Sequence, residues 1–202
     1  MNPRNALRIA VPALLATAFV SACSSAPATA DVAAVATASA TASAIDRQPV
    51  AGPELPGLRQ PRPGLYTGGQ PAAEAWGAMA AAGVATVINL RPDAELAGRD
   101  EAAEVRAAGM AYHQIPVAGA DGITAENADR LWSLLKEAKG PVVVHCASGN
   151  RVGGLLSVAL ARHGGVGADG ALALGREAGM ASTEAKAKAV LASEDGRCVS
   201  NC

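Results

Sequence analysis

The feature that most constrains the fold of this chain is the stretch from Pro141 to Gly154, whose sequence is PVVVHCASGNRVGG. Three consecutive valines, Val142 to Val144, predict a short strand that is buried on both faces. A small polar loop follows, and the apolar run after Gly153 predicts a helix. A strand, a tight loop and a helix N-terminus bring several backbone N–H groups together beside a favourable helix dipole, so this stretch predicts an anion-binding cradle.

Two side chains give this predicted cradle its chemistry. Cys146 follows the strand directly, and a cysteine beside a helix N-terminus is expected to be a thiolate near neutral pH. Arg151 ends the loop and offers a planar, two-pronged cation to the same anion. A lone cysteine is more often a structural residue, but His145, Cys146, Gly149 and Arg151 together favour a functional site with a nucleophile that faces an oxyanion.

The rest of the chain alternates between predicted strands and predicted helices. Residues 64–69, 84–90 and 111–117 predict strands, and alanine-rich segments that end at glycines predict helices between them. This alternation predicts an α/β fold with three layers, in which helices flank a mostly parallel sheet of four to five strands. Ligands bind beyond the carboxyl ends of such strands, so the loops after Leu90, Val117 and Val144 should converge on one cleft.

The N-terminal segment predicts export rather than a folded element. Residues 1–22 combine arginines, a short apolar run and small residues, as in a secretory signal peptide, and Val-Ser-Ala before Cys23 resembles a bacterial lipobox. Cys23 would then carry lipid, and Ser24 after it is typical of outer-membrane sorting. The alternative is an ordinary cleaved signal peptide. Residues 23–60 are rich in Ala, Ser, Thr and Pro and predict a disordered tether, which leaves residues 61–202 as one domain.

Charge and cysteine content exclude some classes of function. A net charge of −1 without basic clusters argues against a nucleic-acid partner. Contact with the membrane is expected only through the N-terminal lipid. Cys198 and Cys202 could form a small disulfide in an oxidising periplasm, whereas Cys146 would remain a free thiol. The histidines do not lie at ligand spacing to the terminal pair, so neither a metal nor another cofactor is expected.

The loop HCASGNR resembles the phosphate-binding loop of cysteine-dependent phosphatases. The wider framework resembles their bacterial beta-lactamase-hydrolase-like branch, which is related to dual-specificity phosphatases. The resemblance covers roughly residues 64–163, and its matching pieces are LYTGGQP at 65–71, GVATVINLRPD at 83–93, IPV at 115–117, IT at 123–124 and the loop itself.

This resemblance implies hydrolysis of a phosphorylated substrate through a phosphocysteine. Cys146 would attack phosphorus, and Arg151 would hold the equatorial oxygens. His145 would help to keep the thiolate, and the loop residues would supply backbone donors. Arg91 would add positive potential to the cleft or would simply pair with Glu95. The substrate-binding group would comprise His145, Ala147, Ser148, Gly149, Asn150 and Arg91. A carboxylate should protonate the leaving oxygen. Asp121 is the first candidate for this acid, although it could be a plain turn residue, and Asp93 is the alternative.

Two departures from the family pattern keep other functions open. The usual phosphatase loop has five residues between Cys and Arg, whereas this loop has four. This shortening resembles the bacterial branch, but it also resembles the persulfide-forming loop of rhodanese sulfurtransferases. The rhodanese motifs upstream of that loop are absent, which favours the phosphatase. Val152 stands where most phosphatases have a Ser or Thr that bonds the sulfur. Weak turnover is therefore expected, and a non-catalytic anion- or phosphoprotein-binding lipoprotein is a third hypothesis.

Overall fold

The computed structural model describes residues 53–200, with side chains as far as residue 193. The predicted signal peptide, the lipidated Cys23 and most of the predicted tether lie outside the described residues. So do Cys202 and the side chain of Cys198, which together form the predicted disulfide. Within the described part of the chain, no helix combines the length and the apolar character needed to cross a bilayer.

The strands of the described residues are short and form one five-stranded sheet. They are β1 (Leu58–Arg62), β2 (Leu65–Gly68), β3 (Thr86–Asn89), β4 (Ala111–Gln114) and β5 (Val142–His145), and their spatial order is β1-β2-β5-β3-β4. β1 pairs antiparallel with β2, whereas the pairs β2–β5, β5–β3 and β3–β4 are parallel. The predicted mostly parallel sheet is confirmed, and β5, the strand that precedes the cysteine, is at its centre.

Helices occupy both faces of this sheet. They are α1 (Ala75–Ala81), α2 (Glu101–Ala107), α3 (Ala125–Glu137), α4 (Asn150–His163), α5 (Ala168–Glu177) and α6 (Glu184–Ser200), and a 3-10 turn (Asp93–Glu95) lies between β3 and α2. Thr124 caps α3 as its sequence predicts, because its hydroxyl accepts a hydrogen bond of 3.2 Å from the Asn127 amide.

The side chains of β5 divide the core into two apolar clusters. Val142 and Val144 pack in one cluster with α3, α4, α5 and α6, whereas Val143 packs in the other with Trp76 of α1 and Val105 of α2. This division follows from the alternation of side chains along a strand. The sheet is therefore the middle layer of three, as predicted.

β1 begins earlier than the predicted domain boundary. Leu58 starts this strand three positions before residue 61, and Leu55 is already buried against the α1 and α2 side of the sheet. The strand LRQPR lacks the apolar alternation that identifies a strand from sequence. It forms because its backbone pairs with β2, with Leu58 opposite Gly68.

The register of the parallel strands places three strand ends side by side. His145 at the end of β5 is level with Gly68 on β2 and with Asn89 on β3. The segments that follow these residues are the Gly69-Gln70 turn, the loop from Leu90, and the cysteine loop. Gln114 at the end of β4 is level with Asn89, so the segment that leads to Val117 starts at the same edge. The predicted convergence of the loops after Leu90, Val117 and Val144 is therefore present.

Candidate active site

The cysteine loop turns sharply into α4 at Gly149. This residue precedes the helix with φ 89°, a left-handed conformation that favours glycine. The turn brings the Gly149 N–H to 3.1 Å from the Cys146 sulfur, which accepts its hydrogen bond. The thiol is thus held at the base of the loop, and the first turn of α4 begins immediately above it.

The end of β2 holds the same loop through backbone contacts. The Cys146 amide donates to the Gly68 carbonyl at 3.3 Å, and the Gln70 amide donates to the Ala147 carbonyl at 3.3 Å. Gly69 also forms an isolated bridge with Ser148. A Cβ on Gly69 would lie 3.0 Å from the Ala147 oxygen, so glycine permits this close approach.

Cys146 is completely buried and belongs to the apolar cluster of α3 and α4. Ala147 and Ser148, which follow it, are exposed at the surface. Val152 is buried in the same cluster as the cysteine, so no hydroxyl is present at that position. The Cys146 side chain is therefore shielded by protein on its inner side, and the exposed loop residues lie on its outer side.

Arg151 is held by partners from two other loops. Its Nη1 donates to the Val117 carbonyl at 2.8 Å and to Glu95 Oε1 at 2.8 Å, and its Nη2 donates to Glu95 Oε2 at 2.6 Å. The hydrogen bond with Glu95 raises the pKa of Arg151, against the opposite effect of burial, and the charge and hydrogen bond of Cys146 raise it further. The Arg151 hydrogen bond in turn lowers the pKa of Glu95, although burial opposes it.

A count of the N–H donors of Arg151 shows which role Glu95 has. A guanidinium has five N–H donors, and the three contacts above use both donors of Nη1 and one donor of Nη2. The Nε–H and the second Nη2–H point in the same direction along one edge of the group, and the hydrogen bond with the Cys146 sulfur uses this edge. That edge is suited to two oxygens of a tetrahedral anion, so Glu95 orients the fork from behind and leaves its binding edge available.

His145 lies on the opposite face of the sheet from Cys146. Its ring is fully buried, its Nε2 is 2.8 Å from Glu101 Oε1, and its centroid is 6.1 Å from that of Trp76. Since a carboxylate only accepts, Nε2 donates this hydrogen bond. The predicted substrate-binding His145 is therefore placed away from the exposed side of the loop and supports the strand end that carries the cysteine.

Glu101 is a buried carboxylate, only 1% exposed, at the start of α2. Burial acts to raise its pKa, but hydrogen bonds from His145 and Gln70 and the charge of Arg99 outweigh it, and the pKa is lowered. The Glu101 side chain is therefore ionised. A buried ionised group requires such partners, because an unpaired charge in the interior is strongly destabilising.

Arg91 follows β3 and lies beside the site, as predicted, but its guanidinium is engaged by protein groups. Its Nη1 donates to Gln70 Oε1, its Nη2 donates to the Glu95 carbonyl, and its Nε is 3.6 Å from Glu95 Oε2. Arg91 thus adds positive charge near Arg151 and holds the residue that orients Arg151.

Asn150 has its side chain turned toward the α5–α6 connection. Its Oδ1 accepts from the amides of Ala181 (2.8 Å) and Thr183 (3.2 Å) and from the Thr183 hydroxyl (3.0 Å), while its Nδ2 donates to the Ser182 hydroxyl at 2.7 Å. The predicted contribution of Asn150 to substrate binding is therefore restricted to its backbone.

The two candidate acids lie on different loops. Asp121, between β4 and α3, is almost fully exposed and is 3.5 Å from the Lys186 ammonium of α6. Asp93 is exposed too, and its Oδ1 accepts a hydrogen bond of 2.8 Å from Gln114. The arrangement leaves both carboxylates available to solvent. Among the described residues, no group of three or more His, Cys, Asp or Glu side chains is arranged to hold a metal ion.

Sequence reasoning missed two residues that build this site, Gln70 and Glu101, and it considered Glu95 only as a partner of Arg91. Gln70 belongs to the LYTGGQP piece, whose glycines and proline predict a turn. Nothing in this piece indicates that the Gln70 side-chain amide forms hydrogen bonds with two charged groups. Glu101 stands in the first turn of a helix, where an acidic residue is usually explained by the helix dipole. Its one sequence signal is its position on the apolar face of α2, four residues before the buried Val105.

Known proteins resemble this chain in sequence and in fold. The family model of the beta-lactamase hydrolase-like protein, phosphatase-like domain, matches residues 58–163, which is more than half of the chain. The beta-lactamase hydrolase-like protein of Agrobacterium fabrum is 37% identical over 91 residues, and that of Xylella fastidiosa is 38% identical over 91 residues. Each alignment covers 43% of this chain and 21% of the relative, so the chain spans about a fifth of the length of the curated relatives it matches.

Solved structures share this fold. A DUF442 protein from Shewanella putrefaciens, described as a candidate phosphatase, is 26% identical with a TM-score of 0.54, and the match covers 68% of this chain and 92% of that one. A candidate phosphatase from Neisseria meningitidis is 22% identical with a TM-score of 0.57 over 66% of this chain and 98% of that one. TpbA of P. aeruginosa is 22% identical with a TM-score of 0.53, over 66% and 81% of the two chains. The chain therefore belongs to the family of the phosphatase-like domain of beta-lactamase hydrolase-like proteins.

Proposed function

We propose that this chain is a cysteine-dependent phosphatase that hydrolyses phosphomonoesters. In the first step the Cys146 sulfur forms a bond to phosphorus, the ester P–O bond breaks, and the leaving oxygen takes a proton from a carboxylic acid. In the second step water adds to phosphorus and gives a proton back to the carboxylate, the S–P bond breaks, and inorganic phosphate and the thiolate are released. The balance requires water and no other co-reactant, and no cofactor is proposed.

The observation that carries this proposal is the arrangement of Arg151 beside Cys146. Glu95 and Val117 use three guanidinium donors, and the remaining pair lies along the edge suited to two phosphate oxygens. Donors that are already oriented stabilise charge in the transition state without reorganising during the reaction, which is usually the largest catalytic contribution. The backbone of residues 147–151, between the cysteine and the first turn of α4, supplies further donors.

The decisive experiment measures hydrolysis of an aryl phosphate by the full chain under reducing conditions between pH 5 and pH 8. We expect turnover that Cys146→Ser abolishes and that Arg151→Lys reduces by about 10²- to 10³-fold, since lysine cannot bind two oxygens in a planar fork. Rapid acid quenching should trap phosphate on Cys146, detectable by mass spectrometry. Absence of both turnover and phosphocysteine would contradict the proposal.

The test also separates the alternative functions. Tight binding of orthovanadate without turnover would identify an anion-binding protein, a possibility supported by Val152, which cannot donate to the thiolate. Conversion of thiosulfate and cyanide to thiocyanate, or a persulfide on Cys146, would identify a sulfurtransferase, a possibility supported by the four-residue spacing to Arg151. If the phosphatase proposal holds, Val152 should slow the second step, so phosphocysteine should accumulate during turnover.

Asp121 is the first candidate for the acid, and Asp93 is the alternative. The acid should give an alkaline limit to the pH profile for a poor leaving group such as an alkyl phosphate, and its replacement by Asn should remove that limit. For an activated aryl phosphate, which needs little protonation, the same replacement should matter far less. Asp121→Asn and Asp93→Asn, compared side by side, assign the role.

We choose an aryl phosphate as the first probe because TpbA, which shares the fold, was crystallised as a cysteine-to-serine variant in complex with pTyr. The substrate class proposed here comprises phosphorylated proteins, on tyrosine or serine, and small phosphate esters. Comparing kcat/KM for phosphotyrosine, phosphoserine and sugar phosphates ranks these alternatives.

The cellular location is proposed from the N-terminal sequence. Residues 1–22 would direct export, and lipid on Cys23 would hold residues 61–202 in the periplasm at the outer membrane. Expression of the full chain followed by membrane fractionation and metabolic labelling with palmitate tests this proposal. Cys23→Ala should abolish the label and release the protein from membranes, while an unlabelled wild-type chain would contradict lipidation.

A further inference from the structure

Six side chains form a continuous path of polar contacts around the cysteine loop. We call this path the polar ring, and its members in order of contact are His145, Glu101, Gln70, Arg91, Glu95 and Arg151; the link between Arg91 and Glu95 is an ion pair of 3.6 Å. One end is the residue before the cysteine, and the other is the arginine that closes the loop. The loop backbone from residue 145 to residue 151 completes the ring.

Gln70 is the member that joins the two halves of this ring. Its Nε2 donates to Glu101 Oε2 at 2.5 Å, and its Oε1 accepts from Arg91 Nη1. Its backbone amide also donates to the Ala147 carbonyl of the loop. One residue therefore contacts the loop itself, the half that ends at His145 and the half that ends at Arg151.

The directions of these hydrogen bonds admit few other side chains at position 70. Glu101 is ionised and can only accept, while Arg91 can only donate, so the residue between them must offer one donor and one acceptor. An amide meets both requirements. A carboxylate would place two acceptors against each other at Glu101, and an apolar side chain would leave two charged groups short of a partner in a half-buried setting.

We propose that Gln70 is a positioning residue for the phosphatase reaction, which couples the strand end that carries Cys146 to the orientation of the Arg151 fork. This inference rests on the proposed function, because it assigns to Gln70 a role in holding the nucleophile and the oxyanion-binding group at a fixed separation. Misplacement of reacting groups by about 1 Å costs about 10²-fold in rate.

The test exchanges the acid and the amide between the two positions. Gln70→Glu alone sets two carboxylates against each other, and we expect kcat for an aryl phosphate and affinity for orthovanadate each to fall about 30-fold or more. In the double variant Gln70→Glu/Glu101→Gln, the carboxylate now at position 70 accepts from Arg91 and from the amide now at position 101, whose oxygen still accepts from His145. Both quantities should return to within about fivefold of the wild type.

Gln60→Glu on the exposed β1 strand makes the same chemical change outside the ring and should leave both unchanged.

Recovery in the double variant is the result that a merely structural glutamine would not give. Full activity of folded Gln70→Glu, or failure of a folded double variant to recover, would overturn the inference. If Gln70→Glu does not fold, Gln70→Met removes both hydrogen bonds without adding charge. It should lower vanadate affinity about tenfold, and unchanged affinity would overturn the inference.

Vanadate binding separates failure of this inference from failure of the proposed function. A wild-type chain that binds vanadate but hydrolyses no phosphomonoester would contradict the phosphatase proposal. The loss and recovery of vanadate affinity across the same variants would still support the ring, because the fork holds the anion in either case. Unchanged vanadate affinity in folded Gln70→Glu would overturn the ring even where wild-type turnover is high.

Discussion

The cysteine loop is held from two sides that differ in chemistry. On the side of α2, the polar ring contacts it through charged and polar side chains, including the buried contact between His145 and Glu101. On the side of α5 and α6, it is held by close backbone packing and by one neutral amide. The first side fixes the direction of charges, and the second fixes the position of a helix, so the two sides should respond to different kinds of substitution.

Glycines make the second side possible. A Cβ on Gly153 of α4 would lie 2.3 Å from the Gly175 oxygen and 2.4 Å from the Met180 nitrogen, and a Cβ on Gly175 would lie 2.7 Å from the Gly153 oxygen. α4 and α5 therefore approach backbone to backbone directly behind the cysteine loop. Asn150 then ties the first turn of α4 to the α5–α6 connection. Added volume should disturb this side, whereas altered charge should disturb the polar ring.

The largest expected effect is that of Gly153→Ala on stability. The added methyl group would overlap backbone atoms that cannot move independently, and we expect a loss of about 3 kcal/mol in the free energy of unfolding, measured by urea denaturation. Gly77→Ala in α1 is the matched control, because nothing lies within 4 Å of a Cβ there. It should gain up to about 1 kcal/mol from helix propensity. Equal stability of the two variants would remove the basis of the comparison.

The next largest effect should be that of Glu95→Gln, which tests the ring side. The amide retains the size of the side chain but presents a donor to a guanidinium that can only donate, so the Arg151 fork loses one of its two bonds. We expect kcat/KM for an aryl phosphate to fall about tenfold while the midpoint of urea unfolding changes little. A rise in activity would instead indicate that Glu95 competes with substrate for Arg151.

Asn150→Ala should have a smaller effect, of about 1 kcal/mol on the free energy of unfolding, because it removes four hydrogen bonds at a partly exposed site. Asn150→Asp keeps the oxygen that accepts from Ala181 and Thr183, and its charge suits a helix N-terminus. The Asp variant should therefore keep near wild-type stability but raise KM, because it adds negative charge beside a site for anions. Equal losses of stability in both variants would contradict this assignment.

The smallest effect concerns the ion pair of Glu184 with Arg176 and Lys188 on the α5–α6 side. The hydrogen bonds of Arg176 and then Lys188 lower the pKa of Glu184 to about 2. A lowered carboxyl pKa contributes stability above the unfolded value of about 4.3, and this contribution is lost as the pH falls toward about 2. The site is exposed, so the contribution should be small and weakened by salt. NMR titration of the Glu184 carboxyl carbon should give a midpoint that rises in Arg176→Gln, and an unchanged midpoint would contradict the pairing.

The regular part of the fold could be predicted because its signals are local. Three valines before Cys146 indicate a buried strand, glycines terminate the helices, and the alternation of these elements implies a parallel sheet. β1 escaped prediction because LRQPR has no apolar alternation, and its pairing with β2 is the interaction that makes it a strand. The prediction that Cys146 and Arg151 face the same anion rests on a local signal, since only five positions separate them.

The support of the site could not be predicted because its members are far apart in sequence. Glu101 and His145 are 44 positions apart, and Arg151 and Glu95 are 56 positions apart. Neither separation corresponds to the short repeat of a helix or a strand, so no local sequence pattern indicates these contacts. Asn150 shows a second limit of prediction from sequence. Its position in the loop predicts proximity to an anion, but the direction of its side chain depends on amides of the α5–α6 connection.

The attachment of the cysteine loop to the end of β2 has a consequence for its motions. The Cys146 and Gln70 amides both donate across this junction, so they continue the hydrogen-bond pattern of the central sheet. An opening that exchanges these hydrogens with solvent must separate β2 from β5, which belongs to the most stable cooperative unit of a fold of this kind. The nucleophile should therefore keep its place over the lifetime of the folded state, and adaptation to different substrates should fall to the exposed loops around it.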